Sequence, residues 1–312
     1  MRVVDVSEPD SELDSARLSA PIVAVGPLSG ACEYWLERAT FTLSEDVSGD
    51  RRVITVPSID DALADLCRRV ERWPIAAATC DDVLRSVAPA GPALAGVITE
   101  SLAYSTLQSG PEFARWLADR GPATMPDIPH PVQAHRDGDT LRIAFDRPQR
   151  HNAFSTDARA ALLEALTVAQ LDSSISEVVL TGNGPSFCSG GDLDEFGTFV
   201  DPASAHLART RHSPALVLDA LTRRLGAACR AEVHGRVLGS GLEMVAFCGR
   251  VDATADAVFG LPELRLGLIP GAGGTVSVTR RIGRWRTAYL VLSGATLDAA
   301  TALSWGLIDA LR

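Results

Sequence analysis

The chain has 312 residues, 46% of them apolar, and a formal net charge of -10. That length supports one large or two modest domains with real hydrophobic cores, and the acidic balance excludes a general nucleic-acid surface, which needs a field that attracts phosphate. All 29 basic side chains are arginine, which rules out a Schiff-base or other lysine mechanism but leaves room for an anionic small ligand held by a few local arginines.

The opening residues, MRVVDVSEPDSELDSARLS, lack the basic start and apolar core of a secretory signal. No apolar run approaches the roughly 20 residues that cross a bilayer. A cytoplasmic protein without membrane insertion is expected. The six cysteines, Cys32, Cys67, Cys80, Cys188, Cys229 and Cys248, are widely spread with no C-x-x-C pair, so they read as reduced, mostly buried thiols and no metal centre is expected.

Residues 1 to 57 mix short apolar runs such as PIVAVGPL with turn residues and the β-rich patch RRVITV, and form a β-containing segment without a secure place. Residues 58 to 120 read as helical. After Ser58, a plausible N-cap, Ile59, Ala62, Leu63, Leu66, Cys67, Val70 and Trp73 recur at spacings of three and four, which draws one apolar face, and Pro74 closes that helix. VITESLAYSTLQSG follows as a second long pattern ending at Gly110 and Pro111, and EFARWLADRG as a shorter one with a terminal glycine. Residues 121 to 138 are assigned as a linker, because GPATMPDIPHPVQAHR carries four prolines and almost no periodicity. From 139 to 312 strands alternate with helices: TLRIAFD, DARAALLEALTVAQL, EVVLTG, a helical stretch around 213 to 228, and RAEVHG. That alternation predicts an α/β core.

Two glycine turns stand out in that core. In FCSGGDLDEF, Gly190 and Gly191 follow a strand-like run and remove the Cβ atoms that would hold a ligand away from peptide N–H groups. A tight turn would account for them equally well. In HGRVLGSGLEM, Gly239, Ser240 and Gly241 stand where a turn gives way to an apolar helical pattern, so unpaired N–H groups at a helix start could stabilise a developing oxyanion. Glu243 lies in the first turn of that helix. Glu263 follows twenty residues later among Phe259, Leu261, Pro262 and Leu264. Two carboxyls in apolar settings suit acid/base chemistry near neutrality, because desolvation raises a carboxyl pKa. Singly, Glu243 could merely favour the helix dipole and Glu263 could be a surface residue; together with both donor turns they form a constellation.

FDRPQRHNAFS, FCSGGDL, HGRVLGSGLEM and LPELRLGLIPGAGGT resemble, in order and spacing, the signature segments of the crotonase (enoyl-CoA hydratase/isomerase) superfamily. The resemblance implies an α/β ββα-spiral core that binds acyl-CoA thioesters, with an additional helical region, no separate cofactor because coenzyme A is part of the substrate, and a homo-oligomer, either a trimer or a dimer of trimers. It places the oxyanion-holding N–H groups at Gly191 and Ser240, with Ser240 standing where the family usually has glycine. It gives Glu243 the activation of water and Glu263 the delivery of a proton to C2 of a 2-enoyl-CoA, as in hydratases of fatty acid metabolism. Ser189, Gly190 and Leu193 fall among its substrate-binding positions. Arg150 and His151 are the nearest candidates for phosphate or adenine contacts, since the lysines many relatives use are absent. Hydrolysis or C–C cleavage of a CoA ester, and a non-catalytic CoA-binding subunit, are the alternatives. Relatives continue beyond a segment like SWGLIDAL with further helices that complete pocket and trimer, whereas here IDDALADLCRRVERWPIAAATCDDVL and TESLAYSTLQSGPEFARWLADR, in residues 59 to 120, resemble that region in the same internal order. A circular permutation is therefore expected, an N-terminal accessory domain being the other arrangement.

Overall fold

The computed structural model describes residues 1–8, 20–87, 90–124, 129–199 and 201–312. Parts of the N-terminal segment (9–19) and of the assigned linker (125–128) lie outside the described residues. Among the described residues no helix is long and apolar enough to cross a membrane.

The first segment builds a small parallel sheet: β1 (Arg2–Asp5), β2 (Ile22–Val25), β3 (Phe41–Ser44) and β4 (Val53–Thr55) in that spatial order, with α1 (Glu33–Arg38) between β2 and β3. One side of it buries Trp35, Val6, Ala24 and Ala39; Phe41, Leu43 and Ile54 join the main core.

Four helices follow: α2 (Ile59–Arg72), α3 (Pro74–Ser86), α4 (Ala93–Gln108) and α5 (Pro111–Arg120). Ser58 caps α2 by accepting the Asp61 N–H at 3.2 Å. Pro74 does end α2, but it is also the first residue of α3, where a missing N–H costs nothing. The donors it leaves behind are met from a distance: the buried Glu112 of α5 accepts the N–H groups of Ile75 and Ala76, each at 2.9 Å.

The linker assignment extends too far. Residues 132–137 form β5 (Val132–Asp137), antiparallel to β6 (Thr140–Phe145) at the sheet edge. A strand exposed on both faces carries no hydrophobic alternation, and so looks like loop in sequence. The chain continues through α6 (Thr156–Leu171), β7 (Glu177–Gly182), α7 (Pro202–Arg211), α8 (Pro214–Leu225), β8 (Cys229–Val233), β9 (Arg236–Leu238), α9 (Ser240–Val245), β10 (Arg250–Ala253), β11 (Val258–Gly260), α10 (Gly274–Ser293), β12 (Thr296–Asp298), α11 (Ala299–Trp305) and β13 (Ala310–Leu311). The larger sheet runs β13-β10-β8-β7-β6-β5 and is parallel except at β5; a second sheet runs β12-β11-β9. Twice in succession a strand of the large sheet leads to a strand of the small one and then to a helical turn, β8-β9-α9 and β10-β11 with the 3-10 turn Glu263–Leu266. This is the expected α/β spiral, and it stacks both predicted glutamates at equivalent places on adjacent layers.

Helix α10 lies at the centre. It packs against α2, α3, α4, α9, β3 and β4, and it bends at Gly283, where φ is +83°. The residue 59–120 helices are thus fixed to the 139–312 core. A Cβ on Gly96 of α4 would stand 2.5 Å from Val276 of α10, and one on Gly271 would stand 2.5 Å from the Tyr104 ring.

Candidate active site

The segment HNAF sets the floor. His151 and Asn152 both adopt positive φ, +52° and +55°, a conformation that Asn tolerates better than most residues. Buried Asn152 pins it: its Oδ1 accepts the Arg147 N–H at 2.7 Å, and its Nδ2 donates to the carbonyls of Asn183 and Ser186 at 2.9 and 2.8 Å. The strand-like stretch 151–154 then pairs with the first glycine turn, through Ser189 N–H to His151 O, Phe154 N–H to Gly190 O and Asp192 N–H to Phe154 O.

The two glycine turns meet. Gly190 has φ +100°, and a Cβ there would sit 3.3 Å from the Leu238 carbonyl and 3.7 Å from Gly239 Cα. Pairing between Cys188 and Arg236 to Leu238 completes the junction. It leaves the N–H groups of Gly191 and Ser240 without a hydrogen-bond acceptor among the described residues. Both residues line one cavity of about 840 Å³. Ser240 is buried and Gly191 partly so; backbone donors withdrawn from water are almost always paired, so two unpaired ones beside a cavity mark a place for a ligand oxygen.

Glu243 and Glu263 line the same cavity. Glu243 is buried in α9, and its Oε2 accepts the N–H groups of Ala272 and Gly274 at 2.7 and 2.8 Å. Glu263 opens its 3-10 turn, 9% exposed, and its Oε2 has no hydrogen-bond partner among the described residues. A Cβ on Gly239 would stand 2.6 Å from Glu263 Oε1, which brings the second carboxyl against the second glycine turn. Burial pushes Glu263 up to about 8, and burial reinforced by the neighbouring Glu263 and Glu100 carboxylates holds Glu243 well above the ordinary carboxyl range. The two share a tightly coupled titration. Glu243 holds two N–H donors, which favour its charged form, whereas Oε2 of Glu263 holds none.

A pH signature of stability follows. The folded chain keeps the Glu263 proton up to about pH 8, whereas the unfolded chain loses it near the ordinary value of 4.5. The folded state binds more protons across that window, so this contribution is complete below the lower value and is lost as pH rises through the upper one. Glu263→Gln should flatten the decline in melting temperature between about pH 5 and about pH 8. An unchanged slope, measured by circular dichroism, would refute a buried, protonated Glu263.

Ser189, Gly190, Leu193, Arg150 and His151 are all brought to this cavity. His151 Nδ1 lies 2.9 Å from Ser186 Oγ. Arg150 is not a free cation: it donates to Asp192 Oδ1 at 2.7 Å and Asp194 Oδ2 at 2.6 Å, and Asp192 also pairs with buried Arg147 at 2.9 Å. These ion pairs rigidify the 190–195 loop.

The sequence reading named no residue of the opposite wall. Val97, Ser101, Tyr104 and Gln108 of α4, with Arg209 of α7, line the same cavity. Arg209 stacks over Tyr104, 4.6 Å from the ring centroid, and donates to Ser101 Oγ at 3.1 Å and Gln108 Oε1 at 3.0 Å. From α5, Arg120 donates to the carbonyls of Leu193 and Phe196, while Phe113 and Trp116 pack on Phe196. Helices α4 and α5 therefore close the site from above. Polar residues on the buried face of α4 were the available signal, since a helix that buries Glu100, Ser101 and Ser105 must be answering partners.

A family profile described as Enoyl-CoA hydratase/isomerase matches residues 136–312. The chain is 36% identical over 169 residues to 2,3-dehydroadipyl-CoA hydratase of Escherichia coli, covering 54% of this chain and 64% of that protein. It is 34% identical over 170 residues to mevalonyl-coenzyme A hydratase of Aspergillus fumigatus, covering 54% and 61%. The match thus spans less than two thirds of the length of either relative. Among solved structures, enoyl-CoA hydratase of Mycobacterium smegmatis superposes with a TM-score of 0.51 at 30% identity, over 58% of this chain and 69% of that one. The enzyme from Thermoplasma volcanium gives 0.50 at 32% identity, over 58% and 71%.

Proposed function

The chain belongs to the enoyl-CoA hydratase/isomerase family, and on that premise we propose that it hydrates a 2-enoyl-CoA thioester, with Glu243 and Glu263 as its acid/base pair. One observation carries the reading: two vacant N–H groups, Gly191 and Ser240, line the same cavity as two buried carboxyls. The thioester oxygen accepts both N–H groups. As water adds to C3, electron density moves from the C2=C3 bond onto that oxygen, where the paired donors stabilise the enolate. Glu243, ionised and oriented by Ala272 and Gly274, takes a proton from the water. Glu263, kept protonated by burial, gives its proton to C2 as the enolate collapses. The 3-hydroxyacyl thioester leaves, and one proton has been taken up and one released. Coenzyme A enters as part of the substrate, along the side bounded by His151, Ser189 and Leu193.

A panel of enoyl-CoA substrates, followed by loss of the conjugated thioester absorbance with product masses, tests this. Gain of one water with no free thiol is expected; thiol release would assign the site to ester hydrolysis instead. Calorimetry with a saturated acyl-CoA should show one site per chain, and no binding across short, long and cyclic acyl groups would remove the reading altogether.

Gly274→Ala offers a finer check. Its backbone is helical, so alanine is not strained there, but the new Cβ would stand 2.6 Å from Glu243 Cγ. Displacing the base by a fraction of an ångström to one ångström should lower kcat by about 10- to 100-fold with KM nearly unchanged. Wild-type kcat would show that Glu243 needs no fixed position.

We also propose that residues 58 to 120 take the place of the family's C-terminal helices, as in a circular permutation. Their packing over the site and around α10 supports this.

A further inference from the structure

A third buried carboxyl, Glu100, joins Glu243 at the start of α10. Glu100, 1% exposed on α4, accepts the Gly273 N–H at 2.7 Å through Oε1, and through Oε2 the Thr275 N–H at 2.9 Å and the Thr275 hydroxyl at 2.7 Å. Glu243 takes the N–H groups of residues 272 and 274. The four consecutive donors of the 272–275 turn are thus accepted alternately by Glu243 and Glu100, so neither carboxyl can move without disturbing the other's partners.

We propose that Glu100 is a positioning residue for the acid/base pair: it fixes the 272–275 turn that orients Glu243 and sets a third buried carboxyl beside the pair. The proposal rests on the reading that this pair carries the proton transfers. Glu100 does not line the cavity and touches no substrate position. Burial pushes the Glu100 carboxyl up to about 7, against three hydrogen bonds and the field of Arg209, which favour its charged form. It faces Glu243 from α9 and Glu263 from the 3-10 turn, Cys80 from α3, Tyr104 on its own helix and Arg209 from α7, while Arg265 faces Glu263. Arg209 and Arg265 are the cations in that set, and Arg209 donates its hydrogen bonds to neutral oxygens of Ser101, Ser105 and Gln108. A like charge this close to two buried carboxyls disfavours a second ionisation.

Two substitutions separate charge from shape. Glu100→Gln keeps the side-chain length and deletes the charge; Glu100→Asp keeps the charge and withdraws it from the turn. Infrared difference spectroscopy of protonated carboxyls follows the titration of the pair without needing turnover, with Glu243→Gln and Glu263→Gln identifying the bands. Glu100→Gln should move that midpoint to lower pH by about one pH unit and shift the corresponding limb of the kcat profile with it. Glu100→Asp should leave the midpoint nearly in place while kcat falls about 10- to 100-fold at unchanged KM. Thr275→Val, which removes one donor and so raises the Glu100 pKa, should move the midpoint in the same direction as Glu100→Gln but less; it carries the test if Glu100→Gln does not fold. A midpoint unmoved in Glu100→Gln and Thr275→Val, or moved equally in Glu100→Asp, overturns the proposal. Because the titration needs no substrate, a protein that hydrates no enoyl thioester would sink the functional reading and leave this coupling standing.

Discussion

Glu243→Gln and Glu263→Gln should each lower turnover by at least about 100-fold, and by up to about 10,000-fold, because each deletes a general acid or base while keeping side-chain shape. The glutamine amide at 243 still presents an oxygen to the Ala272 and Gly274 N–H groups, so the turn should hold. At 263 the Oε2 position has no hydrogen-bond partner to lose. Binding of a saturated acyl-CoA should therefore stay within a few-fold of wild type, since the two backbone donors at Gly191 and Ser240 are untouched. The double variant should be little worse than the more damaged single one, because two groups that act on one addition are not additive. Near wild-type turnover in both single variants, on a substrate the native protein demonstrably converts, would remove the assigned roles.

A fragment of residues 129 to 312 should be insoluble or inactive, and co-expression of residues 1 to 124 should restore it. Removing the first part strips α10 of α2, α3, α4, β3 and β4 together. It exposes the faces that now bury Val97, Tyr104, Leu107 and Phe113, and each large apolar side chain is worth roughly 1.5–3 kcal/mol when fully buried. A handful of such losses equals the whole stability of an ordinary domain, about 5–15 kcal/mol. It also removes Glu100, leaving the Gly273 and Thr275 donors bare, and opens one wall of the cavity. Rescue in trans would show that the interface, rather than chain continuity, supplies what the core lacks. A soluble, fully active fragment would make residues 1 to 124 an independent appendage, and the permuted arrangement would have to be dropped.

Much of the core was legible because its rules are local. Ser58 as an N-cap, the period of α2 from Ile59 to Val70, and Gly110–Pro111 between α4 and α5 depend on neighbours within a turn or two. Glycines 190 and 239, both at positive φ, reported backbone that only their own residue type adopts freely. Helix α10 escaped notice for the converse reason: enclosed by helices on several sides and by the small sheet, it has apolar residues around its circumference and no single stripe to read, and Gly283 breaks its period midway. Strand β5 escaped because it is exposed.

The sequence by itself determined the family, the α/β spiral and the presence of two glutamates behind two glycine turns, since each is written in contiguous residues whose conformational preferences act at short range. Only the tertiary structure decided that Gly191 and Ser240 share one cavity, that Arg150 is spent on Asp192 and Asp194, and that Glu100, far earlier in the chain, alternates with Glu243 on the donors of one turn. Hydrogen bonds and charge fields act across space whatever the separation along the chain, and a buried carboxyl acquires its partners and its proton affinity only when distant segments exclude water from around it.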